Sequence, residues 1–347
     1  MDILGIGNAL LDIFYFSDEE SSLSLGLHPN HAAHVSPERL DELLLAVPNP
    51  IYVSGGSASN AVKAASALGA RTAFIGCTGT VDREDDHWAR MFRSDLASFG
   101  VSCVLEHRNA PSGRCLVIHM PGGLKAVACA PGAAPLLRTE QIDEELLGQA
   151  KTVLLDGQVL RNKAVTDRIS HFCRTRRIPL AIDISTSDIA RNFSGAAKDL
   201  LINNETILFL NTDEALTLAL ALENTVPGDK GIQNEEEFID SVFSFYTERK
   251  KNFPCIIEKR GENGARAWAS GAKYEAAAEK VSCVLDDTGA GDVFAGAFLC
   301  AYLRELSLSA CLAFANTSAR EALFVPGSSI DRGIFRELTA TLPISHR

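Results

Sequence analysis

From about residue 150 onward the chain alternates short, continuous apolar runs with longer stretches of helical period. The runs are "TVLLD" (152–156), "PLAID" (179–183), "TILFLN" (206–211) and "CIIEK" (255–259), separated by segments such as 162–177, 188–202 and 235–250. Runs that are apolar at every position, rather than every second one, belong to strands covered on both faces, as in β-α-β units. The pattern therefore predicts an α/β, Rossmann-like fold with a mainly parallel central sheet and helices on both faces. In the first 135 residues "DILGIGN" (2–8) and "TAFIG" (72–76) read as core strands. Alanines recur between them over 57–70, a helix that Gly69 would end as a C′ glycine. A second helix is expected over 83–99, with Asp82 as N-cap, Trp88, Met91, Phe92, Leu96 and Phe99 on one face, and Gly100 as stop. Residues 12–55 and 102–131 carry short strand-like runs broken by Pro and Gly, and read as a small β-sheet lid that covers a site and excludes water. The expected organisation is one domain over 1–347 with this discontinuous lid.

Each of the four later runs ends in polar groups: Asp156, Asp183, Asn211, and the pair Glu258 and Lys259. In open parallel sheets ligands bind beyond the carboxyl ends of the strands, so these ends mark a crevice. A net charge of -11 excludes a nucleic-acid scaffold and a polybasic membrane binder, both of which need clustered Lys and Arg. No apolar run approaches the roughly 18 residues of a membrane span. The nine cysteines are scattered and never form C-x-x-C, which argues for reduced, mostly buried thiols and a cytoplasmic location. The expected partner is a small molecule.

The segment "VLDDTGAGDVFAGAF" (284–298) carries the strongest chemistry. Gly289 and Gly291 let successive N–H groups point at one spot, and the helix that follows adds positive partial charge, so the turn is an anion cradle. Small residues at 295–297 would let that helix pack closely. The helix start should also lower the pKa of Asp292 and keep it ionised. Equally, Thr288 could simply N-cap a buried helix with Asp292 in its first turn. "VSGGSASN" (53–60) adds Gly55 and Gly56 at a strand end and Asn60 in the first helical turn, where an amide suits polyhydroxy ligands. "GIGNALLD" (5–12) offers Asn8 and Asp12 for hydroxyl groups. It is not a dinucleotide fingerprint, since Leu10 stands where the third glycine should be and a strand-like run follows.

In this order and spacing the three segments resemble the ribokinase-like (PfkB) family of carbohydrate and nucleoside kinases over almost the whole chain. "NTDEA" (211–215) is similar to the family's N-x-x-E motif, and "EKRGENGA" (258–265) to the strand and turn leading into its nucleotide region. The resemblance implies an ATP-dependent kinase acting on a terminal CH2OH of a sugar or nucleoside. Asp292 would be the catalytic base and the N–H groups of Gly289, Ala290 and Gly291 the anion hole. Asn8, Asp12, Gly55, Gly56 and Asn60 would bind the acceptor. Asn211, Lys259, Gly261, Thr288, Asn316 and Gly327 would serve the nucleotide, and Asn211 with Glu214 would hold Mg2+, through water. A monovalent cation such as K+ is a further cofactor the resemblance leaves open, as it does a homodimer through the lid. A helix that merely packs is as good a reading of 311–329, which contains Asn316 and Gly327. "GNALLDI" and "AIDIS" (181–185) lean toward the adenosine-kinase-like branch, with Phe14, Phe16 and Tyr52 as candidates for stacking on a purine. A kinase of a sugar phosphate and a non-catalytic sensor of nucleosides or sugars are the competing functions.

One position departs from the family. Asp287 follows Asp286 where a small hydroxyl residue is usual, and a second carboxylate beside phosphates requires a cation. Mg2+ or a basic residue such as Lys259 is the expectation. Arg114 sits where flap residues approach substrate, although a solvated rim position fits it better. His28, His31 and His34 recur at a spacing of three but lack a second ligand cluster, so they read as a polar loop. "NEEEF" (234–238) reads only as a charged helix start.

Overall fold

The computed structural model describes residues 1–82, 84–223, 234–248 and 255–342. In chain order its strands are β1 (Ile3–Ile6), β2 (Leu10–Phe16), β3 (His31–His34), β4 (Ile51–Gly55), β5 (Thr72–Val81), β6 (Glu84–Asp85), β7 (Ser102–Arg108), β8 (Gly113–Met120), β9 (Leu124–Ala130), β10 (Thr152–Asp156), β11 (Leu180–Asp183), β12 (Thr206–Asn211), β13 (Cys255–Lys259), β14 (Ala265–Ala269) and β15 (Ala272–Ala276). The larger sheet runs β15-β14-β13-β12-β11-β10-β1-β5-β6, with β7 also paired to β5. Every pair from β7 and β5 across to β13 is parallel, whereas β14, β15 and β6 are antiparallel additions. Alternate residues of one strand enter separate cores on the two faces: Leu154 joins one, Val153 and Leu155 the other. That double burial is why these strands read as unbroken apolar runs.

The smaller sheet runs β3-β9-β8-β2-β4. Its outer face, with Ile13, Leu116, Ile118, Ala126 and Ala128, is covered by Leu40 and Leu43 of the helix Pro37–Leu45. The opposite face carries Phe14, Val53 and Val117. Of the stretch 102–131, β7 belongs to the larger sheet, where Ala73 to Gly79 pair with Ser102 to Arg108; the smaller sheet takes up at Gly113.

Three expectations need correction. The second helix spans His87–Ser98, not 83–99, and is capped by Asp86, which accepts from Ala89 N–H at 2.7 Å. Asp82, with φ of 53°, turns the chain so that Glu84 pairs with Val81 before the helix begins. Cys115 and Cys129 are register partners on β8 and β9 and form a disulfide, so the thiols are not all reduced. The other seven cysteines are free. Glu258 points away from the crevice and pairs with Arg266 of β14. Among the described residues no helix is long and apolar enough to cross a membrane.

Candidate active site

The carboxyl ends of β10 to β13 converge as the strand-end polarity suggested. Asp156 and Asp183 are register partners and both are buried, while Asn211 sits opposite Lys259. Lys259 Nζ donates to Asp183 Oδ2 at 2.7 Å. Burial opposes the charge of Lys259, but Asp183, Glu214 and Asp292 outweigh it and hold its pKa above the ordinary value. A Cβ on Gly291 would lie 3.2 Å from that ammonium, so the glycine turn and Lys259 flank the same space.

The helix Ala290–Tyr302 has Gly289 as its N-cap residue, at φ of 80°, and no side chain caps it. Ala290 N–H donates to Asp287 O at 3.2 Å, whereas the N–H groups of Gly289 and Gly291 have no hydrogen-bond partner among the described residues. Thr288 is not the cap; its hydroxyl accepts from Lys125 Nζ at 2.8 Å. Free N–H groups at an uncapped helix start carry positive partial charge and face the crevice unpaired.

Asp292 is the third residue of this helix. A Cβ on Gly296 would overlap the carbonyl oxygen of Ala61, so only a glycine lets this helix approach Ser57–Ala67 closely. The approach brings Asn60 Nδ2 within 2.9 Å of Asp292 Oδ2, while Asn60 Oδ1 accepts from Ser328 Oγ at 2.6 Å. Both ends of the Asn60 amide are thus engaged in orienting the carboxylate. Burial, reinforced by Asp183, raises the Asp292 pKa to about 6, against the opposing pull of Lys259 and Asn60. The lowering expected from the helix start is overturned, because desolvation of a buried carboxylate exceeds the dipole effect.

Asn211 and Glu214 form a reciprocal capping box: Glu214 N–H donates to Asn211 Oδ1 at 2.8 Å, and Glu214 accepts from Asn211 N–H at 2.9 Å and Nδ2 at 3.0 Å. Burial, with Asp183 adding to it, raises the Glu214 pKa to about 7. Among the described residues no group of three or more His, Cys, Asp or Glu side chains could hold a metal alone. Three carboxylates, Asp183, Glu214 and Asp292, nevertheless act electrostatically on one ammonium, that of Lys259. Excess oxygen donors of this kind fit Mg2+, which keeps several waters and arrives with phosphate.

Where β2 pairs with β4, Asp12 lies over Gly55 so closely that a Cβ there would overlap its carboxyl group. Burial raises the Asp12 pKa to about 7, partly offset by Lys63. Lys63 is fully buried and donates to Ser54 O at 3.3 Å and Ser54 Oγ at 3.0 Å, fixing the end of β4. Gly56 has φ of 94°, and a Cβ would overlap the Asn8 carbonyl oxygen. Gly56→Ala should therefore destabilise the fold by about 1–3 kcal/mol, read as a fall in denaturant midpoint at constant slope. Asn8 also borders a cleft of about 260 Å³ whose lining includes Ala134, Pro135, Leu137, Val159 and Val165 on the apolar side and Gln158, Asn162, Arg161 and Lys163 on the polar side.

The remaining candidates have the following partners. Asn316 Nδ2 donates to the carbonyls of Ala276 and Ala277 at 3.0 and 3.3 Å, and so ties its helix to the chain leaving β15. Gly327 N–H donates to Asp286 Oδ2 at 2.7 Å, and Gly261 is an exposed turn glycine after β13. Arg114 is neither on a solvated rim nor over the crevice: it is buried over Trp88, 4.8 Å from the ring centroid, and paired with Asp41. Phe14 is buried against Val53 and Val117, Phe16 stacks on His119, and Tyr52 lies near Trp88, so none of the three lines the cleft beside Asn8. His31 and His34 are the ends of β3. Asp287 faces a basic residue, but it is Lys125 of β9, not Lys259. The sequence reading missed Lys125, Ser328 and the pairing of Asp183 with Lys259; only the last had a signal, two charged strand ends in one crevice.

Fold and site together define an α/β protein with an uncapped glycine turn and a partly buried carboxylate beside the strand ends, next to a second, smaller sheet. Residues 20–332 match the pfkB family carbohydrate kinase pattern, and the chain belongs to that family. It is 22% identical over 243 residues to guanosine-inosine kinase of Escherichia coli (strain K12), a match covering 66% of this chain and 55% of that protein, so the chain spans about half the relative's length. It is 22% identical to adenosine kinase 2 of Arabidopsis thaliana, over 89% of this chain and 90% of the relative. A probable sugar kinase protein from Rhizobium etli CFN 42 shares the fold with a TM-score of 0.83 and 21% identity, over 98% of this chain and 97% of the other.

Proposed function

We propose that the chain is an ATP-dependent kinase that transfers the γ-phosphate to a terminal CH2OH of a sugar or nucleoside, with nucleosides the favoured acceptors. The observation that carries this reading is the placement of Asp292, poised at about 6, one residue beyond the unpartnered N–H groups of Gly289 and Gly291. Phosphoryl transfer needs positioning and neutralised charge more than covalent chemistry, with a carboxylate to accept the proton of the attacking hydroxyl. Asp292 takes that proton, and Asn60 and Ser328 hold it in orientation. The N–H groups of the turn and Lys259 receive the transferring phosphoryl group. Mg2+, held by Glu214 and Asn211 through water, would offset the charge of the phosphates. Asp12 accepts hydrogen bonds from acceptor hydroxyls, and the smaller sheet serves as the lid that excludes water.

The nucleoside preference rests on the cleft beside Asn8. Its aliphatic walls offer a surface for a flat base attached to a sugar, while Arg161 and Lys163 in the same lining keep a sugar phosphate in the comparison. The matches to a guanosine-inosine kinase and an adenosine kinase point the same way, while matches to a probable fructokinase-5 and a ribokinase of Arabidopsis thaliana keep sugars in the comparison. A coupled ADP-release assay over adenosine, guanosine, inosine, ribose, fructose and a sugar phosphate tests the reading. Nucleosides should give the highest kcat/KM. ADP release with the sugars or the sugar phosphate alone would overturn the preference, and release with none of them would overturn the kinase.

A further inference from the structure

Lys125 is the one cation of the smaller sheet that meets the phosphate turn among the described residues. Its Nζ lies 2.8 Å from Asp286 Oδ1 and 2.8 Å from Thr288 Oγ1, and it also pairs with Asp287. Its register partner on β8, His119, reaches the same place, with Nε2 at 3.5 Å from Asp286 Oδ2 and no hydrogen-bond partner. Two adjacent strands of the sheet over the acceptor thus end on the two acids that open the turn.

The acids differ in what else supports them. Asp286 is buried and also accepts from Thr288 N–H at 2.9 Å and Gly327 N–H at 2.7 Å. Burial opposes its charge, yet Lys125 and these two N–H groups together hold its pKa below the ordinary range. Burial also keeps His119 below its ordinary value, so the imidazole is neutral and Lys125 carries the positive charge of this contact. The Asp287 side chain is 72% exposed, and Lys125 is the only ion-pair partner recorded for it among the described residues. Without the Lys125 ammonium, Asp287 would stand uncompensated beside the glycine turn. Like charge at that point disfavours phosphate.

Resting on the kinase reading above, we propose that Lys125 is a positioning residue for the nucleotide: by seating on Asp286, Asp287 and Thr288 it cancels the charge of the acids that open the turn and so makes the turn receptive to the nucleotide phosphates. Asp287 is then the feature that makes Lys125 necessary, since a small hydroxyl residue there would leave less charge to cancel.

The test measures binding of a non-hydrolysable ATP analogue with Mg2+ by calorimetry, with adenosine present, in the wild type and in Lys125→Met, Lys125→Arg, Asp287→Thr and Lys125→Met/Asp287→Thr. Thermal melting checks that each variant is folded. Lys125→Met should weaken the nucleotide by about tenfold or more, as loss of a charge-assisted contact predicts. Lys125→Arg should recover most of the affinity, and so should adding Asp287→Thr to Lys125→Met. Hydrogen exchange across 113–130 should rise in Lys125→Met. A folded Lys125→Met with unchanged nucleotide affinity, or a double variant no better than Lys125→Met, overturns the proposal. A wild type that binds the nucleotide but phosphorylates no acceptor overturns the kinase reading and leaves this test standing.

Discussion

Replacing Asp292 with asparagine is expected to lower kcat by roughly 10²–10⁴-fold, the range a general base supplies, with binding of acceptor and nucleotide retained. The substitution is nearly isosteric, and the new amide oxygen can still accept from Asn60 Nδ2, now 2.9 Å from the carboxylate. What is lost is a site for the proton. Because the pKa is raised to about 6, the carboxyl is ionised above that value and takes a proton below it. Wild-type kcat should therefore fall on the acid side, about tenfold per pH unit once well below 6. Asn60→Ala removes a hydrogen bond that favours the ionised form, so its acid limb should move to higher pH. Steady-state kinetics across the acid range check both statements. A kcat in Asp292→Asn within a few-fold of wild type removes Asp292 as the base.

The central sheet was legible because each of its strands is buried on both faces, a condition that writes itself into every residue of "TVLLD" and "TILFLN". The polar ends of those strands marked the crevice for the same topological reason. The pairing of Asn60 with Asp292 was not legible: the residues are 232 apart in sequence, and they meet because Gly296 permits two helices to touch. The direction of the Asp292 pKa was misjudged because a helix start is visible in a sequence and burial at one side chain is not. Asp86 displaced Asp82 as a cap because a two-residue strand lies between them, too short for any period to show. Lys125 carried no signal in "GGLKAV", since its meaning depends on register with β8 and on a turn 162 residues away. The anomaly at Asp287 was legible, as was its need for a cation; which cation depended on tertiary placement.

Asp12→Asn is expected to raise the acceptor KM on the order of 10²-fold, with a smaller loss in kcat, because hydrogen bonds from two hydroxyl groups to a charge would be weakened together. The carboxyl rests on Gly55, where any side chain would displace it, and burial raises its pKa to about 7. An ionised Asp12 offers only acceptors, whereas a protonated one gives up part of that capacity. Acceptor KM in the wild type should therefore rise as pH falls from about 8 to about 6, and the slope should vanish in Asp12→Asn, which has nothing to titrate. This limb lies above that of Asp292, so KM should change before kcat does as the solution is acidified. Deoxy acceptors lacking one of the hydroxyls should show a smaller penalty in Asp12→Asn than in the wild type, since the partner they fail to satisfy is already compromised. A KM that is independent of pH over this window and unchanged by the substitution would place the acceptor hydroxyls elsewhere in the crevice, with Asn8 as the next residue to vary.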